Sequence, residues 1–298
     1  MFRRKPAPDL IRGGHRFADK NMRKLKNLVP FGSRAQRGLL MKAAELFDLT
    51  GRVALVTGAS SGLGVRFASV LAENGATVAL VARRADRLEG VRQKIAAAGG
   101  KAIAIEADVL DRAAITRAFD AAEKAFGTVT ILVNNAGVAH ADRAVEMSQE
   151  KWRRVLATNL DAVFYWAQEG ARRMLASGQK GAIINIASVL GFGVAKGVVA
   201  YTTAKAGVVQ LTKALGVELA FKGVRVNAIA PGWFDTELNH DYLASDDGKK
   251  LMRAIPVGRF GEDGDLDGAL LLLASDAGGY MSGTTIVVDG GAVVALPG

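Results

Sequence analysis

Cysteine is absent from the 298-residue chain. Its absence excludes disulfides, thiolate metal sites and a cysteine nucleophile, and it accords with a cytoplasmic protein. Histidine is scarce. His15, His140 and His240 stand far apart, without metal-site spacing, so no metal is expected. No apolar run reaches the roughly 18 residues of a membrane span, and integral membrane association is not expected. The N-terminus carries charge but no clean apolar core behind it, which argues against a secretory signal. Acidic residues are nearly missing from one stretch. Residues 1–40 hold 11 Lys or Arg against 2 Asp, a net +9, whereas residues 41–298 hold 28 basic and 27 acidic residues, a net +1. The formal charge of +10 is therefore a property of the leader, and the near-neutral body does not suggest a nucleic-acid partner.

Glycine is plentiful, with 35 residues. Since glycine is costly within regular elements, the count points to tight turns and close backbone approaches. Residues 1–45 form a basic N-terminal arm, punctuated by Pro6, Pro8, Gly13, Gly14, Pro30, Gly32 and Gly38. A flexible, solvated leader is the expectation. A contact with a neighbouring subunit and an organelle-targeting role stay open beside it. Residues 39–47 could make a short amphipathic helix.

From Gly51 onward the pattern changes. Short apolar runs at 52–57, 77–82, 101–106, 129–133, 182–187, 224–230 and 284–288 read as strands. Between them lie helix-length segments at 63–74, 85–98, 111–126, 148–176 (with an internal break), 200–221 and 265–275. This alternation predicts a single α/β domain over 46–298, doubly wound, with a mostly parallel seven-stranded sheet between two helical layers. The segment from 233 to about 260 is irregular and charged, the candidate for a mobile flap over a site.

The first strand runs into Thr57-Gly58-Ala59-Ser60-Ser61-Gly62-Leu63-Gly64. Gly58 permits a sharp exit, Gly62 lets a pyrophosphate approach the backbone, and Gly64 lets the next helix pack closely. The helix N-terminus offers unsatisfied amides to phosphate, and Ser60 and Ser61 can add hydroxyls. An ordinary tight turn is the plain alternative, but the strand–turn–helix setting favours a dinucleotide. The second strand ends Ala82-Arg83-Arg84, where a carboxylate would bind ribose hydroxyls and repel a 2′-phosphate. Arg83 instead offers its planar fork to that phosphate, which favours NADP(H), with NAD(H) possible. Arg84 is expected to flank the adenine or reinforce the charge. After the third strand, Asp108 can accept from the adenine amino group, and Val109 supplies an apolar wall and a backbone contact.

Tyr201 and Lys205 are four apart at the start of a helix and share a face. A phenol is a poor base near neutrality, but a close ammonium lowers its pKa. Tyr201 could then exchange a proton with a substrate oxygen as hydride moves at carbon, while Lys205 also holds the nicotinamide ribose. By itself such a pair is ordinary helix surface. Ser188 ends the fifth strand, where its hydroxyl could steady the same oxygen. Asn159, unfavourable within a helix, could disrupt it and hold a water that links to Lys205. After the fourth strand, Asn134 and Asn135 can brace neighbouring loops, and Ala136 and Gly137 allow close passage. Pro231 and Gly232 are expected to turn the chain beside the nicotinamide, and Thr236 to contact its carboxamide or the phosphates.

In this ordered set, residues 51–291 resemble the short-chain dehydrogenase/reductase family. The glycine segment at 57–64 is similar to its cofactor loop, Asn134–Gly137 to its NNAG segment, and Asn159, Ser188, Tyr201 and Lys205 to its catalytic tetrad. Pro231, Gly232, Thr236 and Asp289-Gly290-Gly291 continue the likeness. The resemblance implies a single Rossmann-type domain, reversible hydride transfer, and a homotetramer or homodimer. The family often carries a basic residue at the position of Ser61 when it prefers NADP(H), so here Arg83 carries that inference.

A substrate wall is expected from Ala139, His140, Val189, Leu190, Phe192, Val198, Trp233 and Phe234, together with Ser188 and Tyr201, although Phe192 and Phe234 could equally pack in the core or the flap. These favour an apolar or amphipathic small molecule. A ketone or secondary alcohol is the leading substrate class. A sugar acid or polyol, as for gluconate 5-dehydrogenase-like members, and a 3-oxoacyl thioester are alternatives. A non-catalytic nucleotide-binding protein is the alternative of a different class.

Overall fold

The seven short apolar runs assemble into one sheet in the order β3-β2-β1-β4-β5-β6-β7. The strands are β1 Val53–Thr57, β2 Thr77–Ala82, β3 Lys101–Glu106, β4 Ile131–Asn134, β5 Gly181–Ile186, β6 Val224–Pro231 and β7 Thr285–Val288. Every neighbouring pair is parallel, so the sheet is parallel throughout, not only mostly so. This computed structural model describes residues 42–237 and 239–295. Residues 1–41 of the expected arm, and most of the start of the expected 39–47 helix, lie outside the described residues. A single turn of that helix, α1 Ala43–Leu46, is described.

Strand alternation divides the core between the two faces of the sheet. On one face Ala54, Val56, Val78 and Leu80 pack against Phe67 and Leu71 of α2 (Gly62–Glu73) and Leu88 and Val91 of α3 (Ala85–Ala97). Leu270 and Leu273 of α10 (Asp267–Ala274) join them. On the other face Val53, Leu55, Ala79 and Val81 meet Ile115 and Phe119 of α4 (Arg112–Phe126) and Trp166 and Met174 of α6 (Ala162–Ser177). The central strand β1 is buried at every position, whereas the edge strand β3 is fully buried at none and exposes Lys101, Ala104 and Glu106.

Two segments differ from the sequence expectation in detail. The helix expected over 148–176 is α5 (Gln149–Leu156) joined to α6 through one π-helical turn, Ala157–Asp161. Asn159 sits within that turn, and its side chain is tied to the backbone of Val138 in both directions. The flap is more regular than expected. It contains α8 (His240–Ala244) and α9 (Asp246–Ala254). Ser245 caps α9 by accepting from Gly248 N at 3.2 Å, and Asp246 and Asp247 occupy its first turn, where the helix dipole favours acids. The base of the flap is pinned by Gly261 N donating to Trp233 O at 2.8 Å. Parallel order places the C-terminal ends of β1, β2, β4, β5 and β6 on one edge, with β1 and β4 flanking the point where the chain reverses direction across the sheet. Crevices at such points are where ligands bind in open α/β sheets.

Candidate active site

A cleft of about 480 Å³ opens along that edge, within the range of small-molecule and cofactor sites. The glycine loop, the ends of β2 and β3, and the β4 loop line one part of it. Ser188, Tyr201, Lys205, Pro231, Gly232 and Thr236 line the rest. One continuous space therefore joins the two groups of residues that the sequence marked separately.

The glycine loop has the local geometry its sequence anticipates. Gly58 turns at φ +69°, a left-handed conformation that side chains disfavour. Gly64 is packed so tightly that a Cβ there would lie 2.2 Å from the Gly58 carbonyl oxygen, so α2 starts against the loop itself. Asn135 braces this turn. Its Nδ2 donates to Thr57 O at 3.0 Å and its backbone N donates to Thr57 Oγ1 at 3.0 Å. Asn134 donates to Asn185 Oδ1 at 2.9 Å, linking β4 to β5. Ser60, Ser61, Gly62, Leu63, Ala136 and Gly137 line the cleft. The glycine loop leaves its backbone amides at the start of α2, and together with the open cleft these residues fit a dinucleotide pyrophosphate.

Arg83 is exposed and stands at the cleft rim. Arg84, expected to flank the adenine or to reinforce the charge, lies in the cleft lining beside the glycine loop. It donates to Ser61 Oγ at 2.8 Å and to Ser60 Oγ at 3.2 Å, so it is folded back onto the glycine loop. Asp108 lines the cleft, with one carboxylate oxygen already accepting from Leu110 N at 3.0 Å. Val109 forms buried wall at the cleft, and its carbonyl accepts from Trp166 Nε1 at 3.2 Å.

At the other end, α7 (Val199–Leu219) presents Tyr201 and Lys205 from its first two turns. Ser188 follows β5, is buried, and accepts from Leu190 N at 3.1 Å. It also hydrogen-bonds with Tyr201. Lys205 is 4% exposed. Its Nζ donates to Ile186 O at 2.6 Å and lies 5.5 Å from the centre of the Tyr201 ring. Burial brings its pKa down to about 8. The expected lowering of the Tyr201 pKa by this ammonium is not what the structure has. Burial raises the phenol, the Ser188 hydrogen bond pulls the other way, and the ammonium is engaged by the Ile186 carbonyl. The Asn159 side chain is engaged by the loop after β4. Its Oδ1 accepts from Val138 N at 2.9 Å and its Nδ2 donates to Val138 O at 2.6 Å.

The expected substrate wall is only partly assembled. His140, Leu190 and Phe192 do not line the cleft, and Phe192 is 49% exposed. Phe234 touches the cleft but is 4% exposed, its ring filling space over Gly261, so it is chiefly core. Trp233 lines a separate pocket of about 220 Å³ with Ile255, Val257 and Asp289, and its ring lies 6.0 Å from that of Tyr242. Thr236 is in the cleft, its hydroxyl donating to Asn239 Oδ1 at 2.9 Å. Gly232 allows β6 to pass Asp289, whose Cα would lie 2.7 Å from an added Cβ.

Several cleft or rim residues were missed by the sequence reading. Arg154 and Thr158 line the cleft from the end of α5 and the π turn, and Glu237 lines it from the flap. Arg87 reaches the rim through Glu237. Arg87 lies in the first turn of α3, close behind Arg83 and Arg84, and that run of cations was the signal the sequence offered. Nothing in the local sequence marked Glu237, because its partners are about 150 residues away.

The family model described as short chain dehydrogenase matches residues 52–247. Gluconate 5-dehydrogenase of Gluconobacter oxydans (strain 621H) is 37% identical over 257 residues, covering 86% of this chain and all of that protein. A 3-oxoacyl-[acyl-carrier-protein] reductase of Staphylococcus aureus (strain Mu50) is 39% identical, covering 80% of this chain and 96% of the relative. Among solved structures, a gluconate 5-dehydrogenase from Burkholderia cenocepacia J2315 in complex with NADP and tartrate is 35% identical, with a TM-score of 0.82, over 86% of this chain and 100% of that one. With a parallel seven-stranded sheet, a cleft across its strand ends and these relatives, the chain belongs to the short-chain dehydrogenase/reductase family, whose enzymes act on CH–OH and C=O groups.

Proposed function

We propose that this enzyme interconverts a small-molecule ketone and its secondary alcohol with NADP(H), Tyr201 serving as general acid and base. The observation that carries the reading is the single cleft in which the glycine loop and Arg83 share a space with Ser188, Tyr201 and Lys205. The backbone at Gly58–Gly64 would hold the pyrophosphate, Arg83 the 2′-phosphate, and Lys205 the nicotinamide ribose. The nicotinamide, when bound, supplies or accepts the hydride. Tyr201 holds or releases the proton at the substrate oxygen, and Ser188 orients that oxygen by hydrogen bonding. A phenol raised by burial is protonated at neutral pH, the form required for carbonyl reduction.

A sugar acid or polyol is the second reading. It is favoured by the gluconate 5-dehydrogenase relative and by Arg154, a cation lining the same cleft. Both readings share the Tyr201 chemistry. Tyr201→Phe is expected to keep cofactor binding and to lose turnover by about a hundredfold or more, measured with a panel of ketones, alcohols and sugar acids. Turnover at the wild-type rate would remove Tyr201 from the mechanism. Arg83→Ala is expected to weaken NADP(H) by about tenfold, as for loss of a charge-assisted hydrogen bond, with little change for NAD(H). Equal losses in titrations with the two cofactors would end the specificity argument.

A further inference from the structure

Glu237 spans the cofactor end of the cleft. It follows Thr236 at the start of the flap, on the β6 side, and lines the cleft together with Arg83, Arg84, Ser60 and Ser61. Its Oε2 accepts from Arg84 Nη1 at 3.2 Å and its Oε1 from Arg87 Nη1 at 2.5 Å. Both arginines come from the β2 side, at the start of α3. One carboxylate thus bridges two cations across the mouth of the site that would receive the adenosine ribose. The three side chains are roughly half exposed, at 42, 45 and 57%. Pairs this open to water are weak and readily exchanged.

A carboxylate and a phosphate monoester engage guanidinium groups through the same charge-assisted N–H···O bonds. The phosphate brings the larger charge. The two anions are therefore competitors for the same donors, and only a cofactor bearing a 2′-phosphate can compete. We propose that Glu237 is a specificity-setting gate, an internal anion that occupies Arg84 and Arg87 and yields them to the 2′-phosphate, so that capture of NADP(H) also unlatches the start of the flap. This rests on the NADP(H) reading above and adds to it a residue that taxes phosphorylated cofactor selectively. Pairing with Arg87 and Arg84 holds the Glu237 carboxyl below its ordinary range, so it is ionised at neutral pH. Arg84 would keep its Ser60 and Ser61 contacts during the exchange, since its Nε and Nη2 serve those hydroxyls while Nη1 serves Glu237.

The test is equilibrium binding of NADPH and of NADH to the full-length protein, followed by cofactor fluorescence. Wild type is compared with Glu237→Gln, Arg87→Ala and the double variant. Glu237→Gln is expected to lower the NADPH dissociation constant by about three- to fivefold, the scale of an exposed ion pair, and to leave NADH unchanged. The loss of NADPH affinity caused by Arg87→Ala should be larger in the Glu237→Gln background, where Arg87 is no longer shared. Unchanged NADPH affinity in Glu237→Gln would overturn the gate. So would an equal loss for both cofactors, or a loss confined to NADH, which would mark Glu237 as a ribose-hydroxyl acceptor. Binding is read without turnover, so a failure of the gate is separable from a failure of Tyr201 catalysis. If wild type bound neither cofactor, the nicotinamide reading itself would fall and the gate with it.

Discussion

Lys205 shows how a single buried side chain shapes behaviour with pH. Its ammonium is enclosed and held by the Ile186 carbonyl, and burial depresses its pKa from 10.5 to about 8. Between those values the unfolded chain binds a proton that the folded one releases, so stability rises with pH across that window. Below about pH 8 both states are protonated and the full cost of burying the charge is present. Tyr201 works against this gain only as the pH nears 10, where its phenol begins to ionise in the unfolded chain while burial keeps it protonated in the folded one. Wild type is therefore expected to gain on the order of 2–3 kcal/mol of unfolding free energy between pH 8 and 10, a gain that Lys205→Met lacks. Denaturant titrations at a series of pH values would measure it, and parallel profiles for the two proteins would show that Lys205 is not depressed. The spacing of Tyr201 and Lys205 was legible in the sequence. The direction of the ammonium was not, because it depends on Ile186, a residue of another element.

The π turn between α5 and α6 shows the same division at the scale of an element. An asparagine inside an apolar helical pattern signalled a break, and the turn at Ala157–Asp161 is that break. What satisfies the asparagine was hidden, since Val138 belongs to the loop after β4. Asn159→Ala leaves Val138 N and Val138 O without these partners in a partly buried setting. A loss of about 1–3 kcal/mol is expected from chemical denaturation, and a change within a few tenths would mean that water replaces the amide at no cost. The strands were read almost to the residue, because apolar runs of five to seven that follow closely on a glycine stand out when helices separate them. β4 begins later than its apolar run, at Ile131, although Thr130 already donates to Val53 O and accepts from Ala182 N, both at 2.9 Å. The flap was read as irregular because its two helices are short and polar, and their caps, not their periodicity, identify them.

At the scale of the whole molecule, the resemblance to the family implies a homotetramer or homodimer. Val217 on α7, Phe221 in the turn that follows it, and Tyr280 before β7 are large apolar side chains left exposed on the single chain, at 80, 73 and 105%. Light scattering of the purified protein is expected to give two or four times the 31.3 kDa chain mass, and Phe221→Glu to lower it if that side chain sits between subunits. A monomeric wild type would set this expectation aside. Among the described residues, no helix is long and apolar enough to cross a membrane.

Taken alone, the sequence determined the class of fold, the strand order of events along the chain, the glycine loop and the positions that carry the family likeness. Each of these is written in local pattern: alternation of apolar runs, spacing along a helix, glycine where backbone must turn or touch. Only the tertiary structure decided which of those residues share one cleft, that Arg84 turns to the glycine loop, that Phe234 is largely core where it meets that cleft, and that Glu237 crosses to Arg84 and Arg87. Those outcomes depend on contacts between residues far apart in the chain, whose energies arise only once the sheet has brought them together.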